Sequence, residues 1–211
     1  MKSQSDIISA VVIVIIAMSL VSSAYFWGIP LIQKSQHQAM IERAYKYFDI
    51  NNVNSLPGII GYVAKYGGEQ NFQSDIDGIW FLYVYDSPSQ EKNSIQFTFF
   101  SKTTNIANDV GWIPLSTSNT QQIGNVGIDE PIVVFGRADK TADGFNITYK
   151  VWLRELEESP TKGYRYVLLS KSPSGPFTSS GKSVRISRGS VYSQVEGSKT
   201  LIITEIKILL I

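Results

Sequence analysis

The chain has 211 residues, a formal net charge of +1, no cysteine and a single histidine, His37. The near-neutral balance offers no basic face, so no nucleic-acid partner is expected; the missing thiols remove disulfide frameworks, thiolate metal sites and cysteine nucleophiles, and one histidine removes most zinc sites and histidine-based triads. Hydrophobic residues at 43% against 18% charged supply enough apolar material for one packed domain with an appendage.

The strongest pattern is at the start. From Ile7 to Gln33 no residue is charged, and Ile7–Val21 is almost continuously aliphatic. As a helix, Ile7–Gly28 spans roughly 33 Å, enough to cross a hydrocarbon core. Three fates fit such a segment: a membrane anchor, a secretory signal cut after the small residues Ser22-Ser23-Ala24, or a helix kept after cleavage in front of it. The apolar character continues past Ala24 through Tyr25, Phe26, Trp27, Ile29, Leu31 and Ile32, and Lys2 is the only preceding base, which weighs against an ordinary signal peptide.

Tyr25-Phe26-Trp27, with Lys34 beyond, has the composition of an aromatic belt at a membrane–water boundary. Ser19 and Ser23, like Ala24 and Gly28, are four residues apart and put small side chains on shared helix faces, a helix-packing pattern that membrane helices also show by composition alone. Pro30 is expected to kink or end the helix. Beyond it, Ile41, Ala44, Tyr45 and Phe48 recur at helical spacing and predict an amphipathic helix over Leu31–Phe48, its stripe packed on a globular domain. His37 falls among polar neighbours there and reads as solvent-facing.

Asp49–Asn54 is a turn-rich break, and Ser55-Leu56-Pro57 opens a short helix that runs to about Tyr66 and stops at Gly67-Gly68. From Gly78 the period becomes alternating. Strands are predicted at Ile79–Tyr85, Ser94–Phe100, Pro131–Arg137, Phe145–Leu153, Tyr164–Leu169, Ser183–Ile186, Ser190–Val195 and Thr200–Ile211. Ser101–Gly127 reads as a long connection with a short strand near Trp112–Leu115, and Pro88, Pro173 and Pro176 fall in loops. Few helix-length crossovers are available, so antiparallel pairing is expected. The fold class is therefore α+β: a long hydrophobic helix followed by a mainly antiparallel, β-sandwich-like head. The last strand is apolar on both faces and needs cover, most simply from its own sheet.

No phosphate loop, nucleophile elbow, HExxH or dinucleotide fingerprint occurs, and no catalytic residue, metal or cofactor is expected. Asp129-Glu130 with Asp139 and Asp143, and Glu155 with Glu157 and Glu158, read as solvated loop charges; Asp139 and Asp143 lack the spacing of an EF-hand. Asn146-Ile147-Thr148 is an N-glycosylation sequon in a predicted strand. Trp112 and Trp152 are candidate surface aromatics for carbohydrate, with core packing as the competing role.

Lys2-Ser3-Gln4-Ser5-Asp6, running directly into the aliphatic stretch, resembles the class III signal peptides of archaeal type IV pilins and archaellins. The resemblance covers about the first 35 residues. It implies cleavage by a prepilin peptidase between Ser3 and Gln4, with Lys2 as the preceding base. Ser3 stands where glycine or alanine is more usual, and Ile8 where many members carry glutamate. By this resemblance residues 1–3 are a leader, 4–48 a helix that anchors in the membrane and then forms a filament core, and 49–211 an extracellular head. The implied function is a structural, non-enzymatic subunit of a surface filament that polymerises with copies of itself and serves attachment. A membrane-anchored accessory protein that contacts a surface layer, and a secreted β-sandwich binding module, are the alternatives.

Overall fold

The computed structural model describes residues 2–117, 119–170 and 175–211, with side chains from Ile8 onward; Pro173 lies outside the described residues. Helices α1 (Lys2–Tyr47) and α2 (Leu56–Tyr66) come first, followed by β1 (Glu69–Gln73), β2 (Ile79–Tyr83), β3 (Ser94–Ser101) and β4 (Ile113–Pro114). Then come β5 (Ile123–Asn125), β6 (Ile132–Lys140), β7 (Phe145–Leu153) and β8 (Glu155–Ser159). The chain closes with β9 (Lys162–Ser170), β10 (Thr178–Ser179), β11 (Ser183–Glu196) and β12 (Lys199–Leu210). Two compact units divide it, residues 1–39 and 40–211.

The first unit is helix alone. α1 runs for 46 residues with Pro30 inside it, so of the two outcomes expected at that proline the helix does not end there. Proline removes one backbone donor, and the good helix formers Leu31, Gln33, Lys34 and Gln36 carry the helix on.

The second unit begins with the last turns of α1. Ile41, Ala44 and Phe48 are buried there, as the periodicity predicts, but Tyr45 is largely exposed. Met40 and Tyr47 pack at the rim of the core in its place. Phe48 stacks on Tyr149 with ring centroids 4.9 Å apart, and Arg43 and Tyr47 both reach the Asp75 carboxylate, at 2.5 and 2.6 Å. Truncating a ring buried like that of Phe48 to alanine costs about 3–5 kcal/mol. α2 forms as expected: the Ser55 hydroxyl accepts from the Gly58 N–H at 3.1 Å, and Gly67, at φ 82°, ends the helix by donating to the Val63 carbonyl.

The head is a β-sandwich-like pair of six-stranded sheets. One has the order β1-β11-β12-β9-β8-β5, the other β10-β2-β3-β7-β6-β4. Pairing is antiparallel except for β12 with β9 and β5 with β8, which are parallel and depart from the antiparallel expectation. The second sheet turns Trp80, Phe97, Ile147, Tyr149 and Val151 inward, the first Ile186, Leu168, Ile206 and Ile208, and one core joins them with Ile60 and Val63 of α2. Gly78 is required by that packing, because a Cβ there would come within 2.6 Å of the Phe97 ring. β12 is an interior strand between β11 and β9, with Ile206, Ile208 and Leu210 buried on one face and Leu201 and Ile203 on the other, while Leu209 is half-buried and Ile211 exposed.

Strand boundaries differ in instructive places. The two segments expected at Ser183–Ile186 and Ser190–Val195 are one strand, β11, with a register shift between Arg188 and Val191 that absorbs Gly189. β1 and β8 have no counterpart among the predicted strands, because EQNFQ and ELEES carry too few apolar residues to show alternation. Among the described residues of 102–127 the strands are the short edge strands β4 and β5.

Candidate membrane and assembly helix

The feature that dominates the surface is residues 8–32 of α1. Every large apolar side chain from Ile8 to Ile32 is exposed, Ile13 and Met18 at 66%, and the helix has no polar face over this stretch. It is long and apolar enough to cross a membrane, a property it shares with export signals. Tyr25, Phe26 and Trp27 are exposed at 69, 82 and 78% and form one aromatic girdle. A helix apolar all round requires a partner surface, either lipid or other apolar helices.

The proposed packing residues Ser19, Ser23, Ala24 and Gly28 all lie on this segment, and nothing stands within 4 Å of where a Gly28 Cβ would be. Lys2, Ser3 and Gln4 are the first residues of α1, and their side chains lie outside the described set. His37 is half-buried on the same helix.

Several charged residues of the head pair with one another within it. Glu155, Glu157 and Glu158 are not loop charges but belong to β8. Glu155 is buried and receives Arg165 at 2.6 Å and Lys199 at 3.0 Å, while Arg165 also binds Glu196 and the Tyr85 hydroxyl. Burial pushes the Glu155 carboxyl up, but the hydrogen bonds and charges of Arg165 and Lys199 outweigh it and hold the group below the usual carboxylate range. Desolvation opposes the Arg165 charge, but hydrogen bonds to Glu196 and Glu155 outweigh it and raise the group. These groups border a cavity of about 390 Å³, with Trp152 and Lys92 on its wall.

Asp129 accepts from the Asn125 N–H and the Asn119 amide and faces Arg154 at 3.6 Å. The Asn125 hydrogen bond first, helped by Asn119 and Arg154, lowers its carboxyl. Asp139 pairs with Arg137, and Asp143 is an exposed residue of the β6–β7 turn. Among the described residues no group of three or more His, Cys, Asp or Glu side chains is placed to hold a metal.

Neither candidate tryptophan is an open platform. Trp112 has Lys150 and Arg137 against its ring, at 4.1 and 4.7 Å from the centroid, and its N–H donates to Glu91 at 2.9 Å. Burial lowers Lys150, which Glu91 partly offsets at 2.8 Å. Trp152 is half-buried, 6.2 Å from Phe135. Asn146 is exposed on β7, whereas Thr148 of the same sequon is buried with its hydroxyl 2.9 Å from that of Thr98.

Comparison with protein-family models, with curated proteins and with solved structures returns no match to this chain.

Proposed function

We propose that the chain is the structural subunit of an archaeal type IV pilus-like surface filament, and that its work is assembly rather than catalysis. The carrying observation is the unburied apolar segment from Ile8 to Ile32, which stays exposed while the head completes its own core. Lipid covers this segment before assembly, and copies of the same helix cover it afterwards, each removing apolar surface from water. Processing by a prepilin peptidase between Ser3 and Gln4 is part of the same reading, by the resemblance of Lys2-Ser3-Gln4 to the class III cleavage motif. The heads then supply the cell-surface face used in attachment.

The Tyr25-Phe26-Trp27 girdle favours one second reading, a pilin-like accessory protein that stays in the membrane and meets a surface layer through its head. The test is the N-terminal residue of the mature protein from native cells, combined with mechanical shearing. A start at Gln4 with recovery in the sheared fraction supports the filament. Retention in the membrane fraction supports the accessory protein. A start near Tyr25 removes both and leaves a secreted binding module.

A further inference from the structure

We propose that the groove between α2 and the open edge of β1 binds a neutral oligosaccharide. The groove has a volume of about 410 Å³ and no charged residue lines it. Ile59, Asn54, Gln70, Asn71 and Gln73 line it together with Tyr62, which is 53% exposed. All four amides are exposed, and none makes a side-chain hydrogen bond to another described residue. Tyr66 continues the aromatic surface along α2, its ring centroid 5.0 Å from that of Tyr62.

The backbone adds to this. β1 is the terminal strand of its sheet, and the Ser74 N–H to Lys182 and Arg188 N–H to Gly68 hydrogen bonds fix which residues face β11. By the alternation of an antiparallel ladder, the N–H and C=O of Asn71 and Gln73 point to the open edge.

The chemistry of the lining selects the ligand. A sugar has flat C–H surfaces that rest on an aromatic ring, and hydroxyls that donate and accept at once. An amide likewise offers two donors and an acceptor, and a tyrosine combines an apolar body with a polar tip. An anionic or cationic ligand meets no opposite charge here, and a wholly apolar one would strip water from four amides without replacing their hydrogen bonds. An extended peptide added to the edge needs pockets for alternate side chains, and β1 offers amides at three of the four positions from Gln70 to Gln73. The site lies wholly within the head, so it does not depend on filament assembly.

The test uses the full chain in a detergent without a sugar headgroup, titrated with cellohexaose, mannohexaose and chitohexaose by calorimetry and ligand-observed NMR. At least one sugar is expected to bind saturably with a Kd of about 0.1–1 mM. Tyr62→Ala should weaken it at least ten-fold and the double variant Asn71→Ala/Gln73→Ala several-fold, while Tyr192→Ala, an exposed aromatic on β11, leaves it unchanged. Three outcomes overturn the proposal: no saturable binding of any of the three sugars up to roughly 10 mM, binding that a folded Tyr62→Ala variant retains in full, or spectral changes at β1 produced by a neutral extended peptide and by none of the sugars.

Discussion

The side-chain oxygen of Asn93 accepts a hydrogen bond from the Leu168 N–H at 2.8 Å, tying the turn that enters β3 in one sheet to β9 in the other. Its amide nitrogen donates to the carbonyls of Leu153 at 2.9 Å and Tyr166 at 2.8 Å. One buried side chain therefore satisfies three backbone groups on both sides of the sandwich, from a left-handed backbone with φ 59° that asparagine tolerates better than most residues.

Asn93→Ala is expected to cost about 3–5 kcal/mol, from unsatisfied buried groups plus strain at the left-handed position. Asn93→Gly relieves the strain but not the lost bonds, so it should recover only about 1 kcal/mol of that loss. Denaturant midpoints of the full chain measure both. A loss below about 1 kcal/mol for Asn93→Ala would mean that water substitutes for the side chain.

Arg154 organises the connection before β6 in a comparable way. Its side chain is 0% exposed. It donates to the Glu130 carbonyl at 2.8 Å and to those of Asn119 and Gln121 at 2.9 and 3.3 Å. Arg154→Lys keeps the charge but cannot reproduce the fork. Amide exchange over residues 119–130 is expected to accelerate by about ten- to a hundred-fold, with a smaller change in global stability. Uniform acceleration across the head would contradict this local role.

Acid should loosen the head through Glu155. Its folded value lies below the ordinary carboxylate value of about 4.3. It therefore contributes stability in full above that pH and loses it as pH falls through the lower folded value. Glu155→Gln should lower stability near neutrality, because Arg165 and Lys199 lose their shared anion while Glu196 and Glu157 hold them only in part. The same variant should show a shallower loss between about pH 5 and pH 3 than the parent. Urea unfolding across that range is the measurement, and parallel pH curves for the two proteins would exclude Glu155 as a contributor.

The parts legible in the sequence are those whose burial has a period. α2 is marked by Ser55, Pro57 and Gly67, and β3, β7 and β12 by dense β-branched and aromatic runs, so these elements lie close to where pattern places them. β8 was opaque for a physical reason: Glu155 is buried because Arg165 and Lys199 reach it from β9 and β12, and a partner distant in sequence leaves no local signal. β1 shows a single buried residue, Phe72, so alternation could not reveal it or the groove beside it. The parallel pairing of β12 with β9 is likewise set by sheet order, which periodicity does not encode. Pro30 does not end α1, because its local preference yields to the helix on either side.

The small residues of α1 separate membrane insertion from assembly. A charge in the middle of the apolar stretch, such as Ile15→Arg, opposes both, costing about 2.5–3.5 kcal/mol in insertion. Ser23→Leu and Gly28→Leu add apolar surface instead, so insertion should be unchanged or stronger, as read by resistance to alkaline carbonate extraction. Nothing stands within 4 Å of the Cβ position of Gly28, so the first carbon that leucine adds there meets no clash. Any effect must then arise where another helix approaches. If these residues line the contact between copies, the yield of sheared filament should fall at least ten-fold, about 1.4 kcal/mol, while the membrane-bound pool is preserved. Equal filament yields from Gly28→Leu and the parent would place the helix contacts on another face of α1, and loss from the membrane pool as well would point to a defect in insertion.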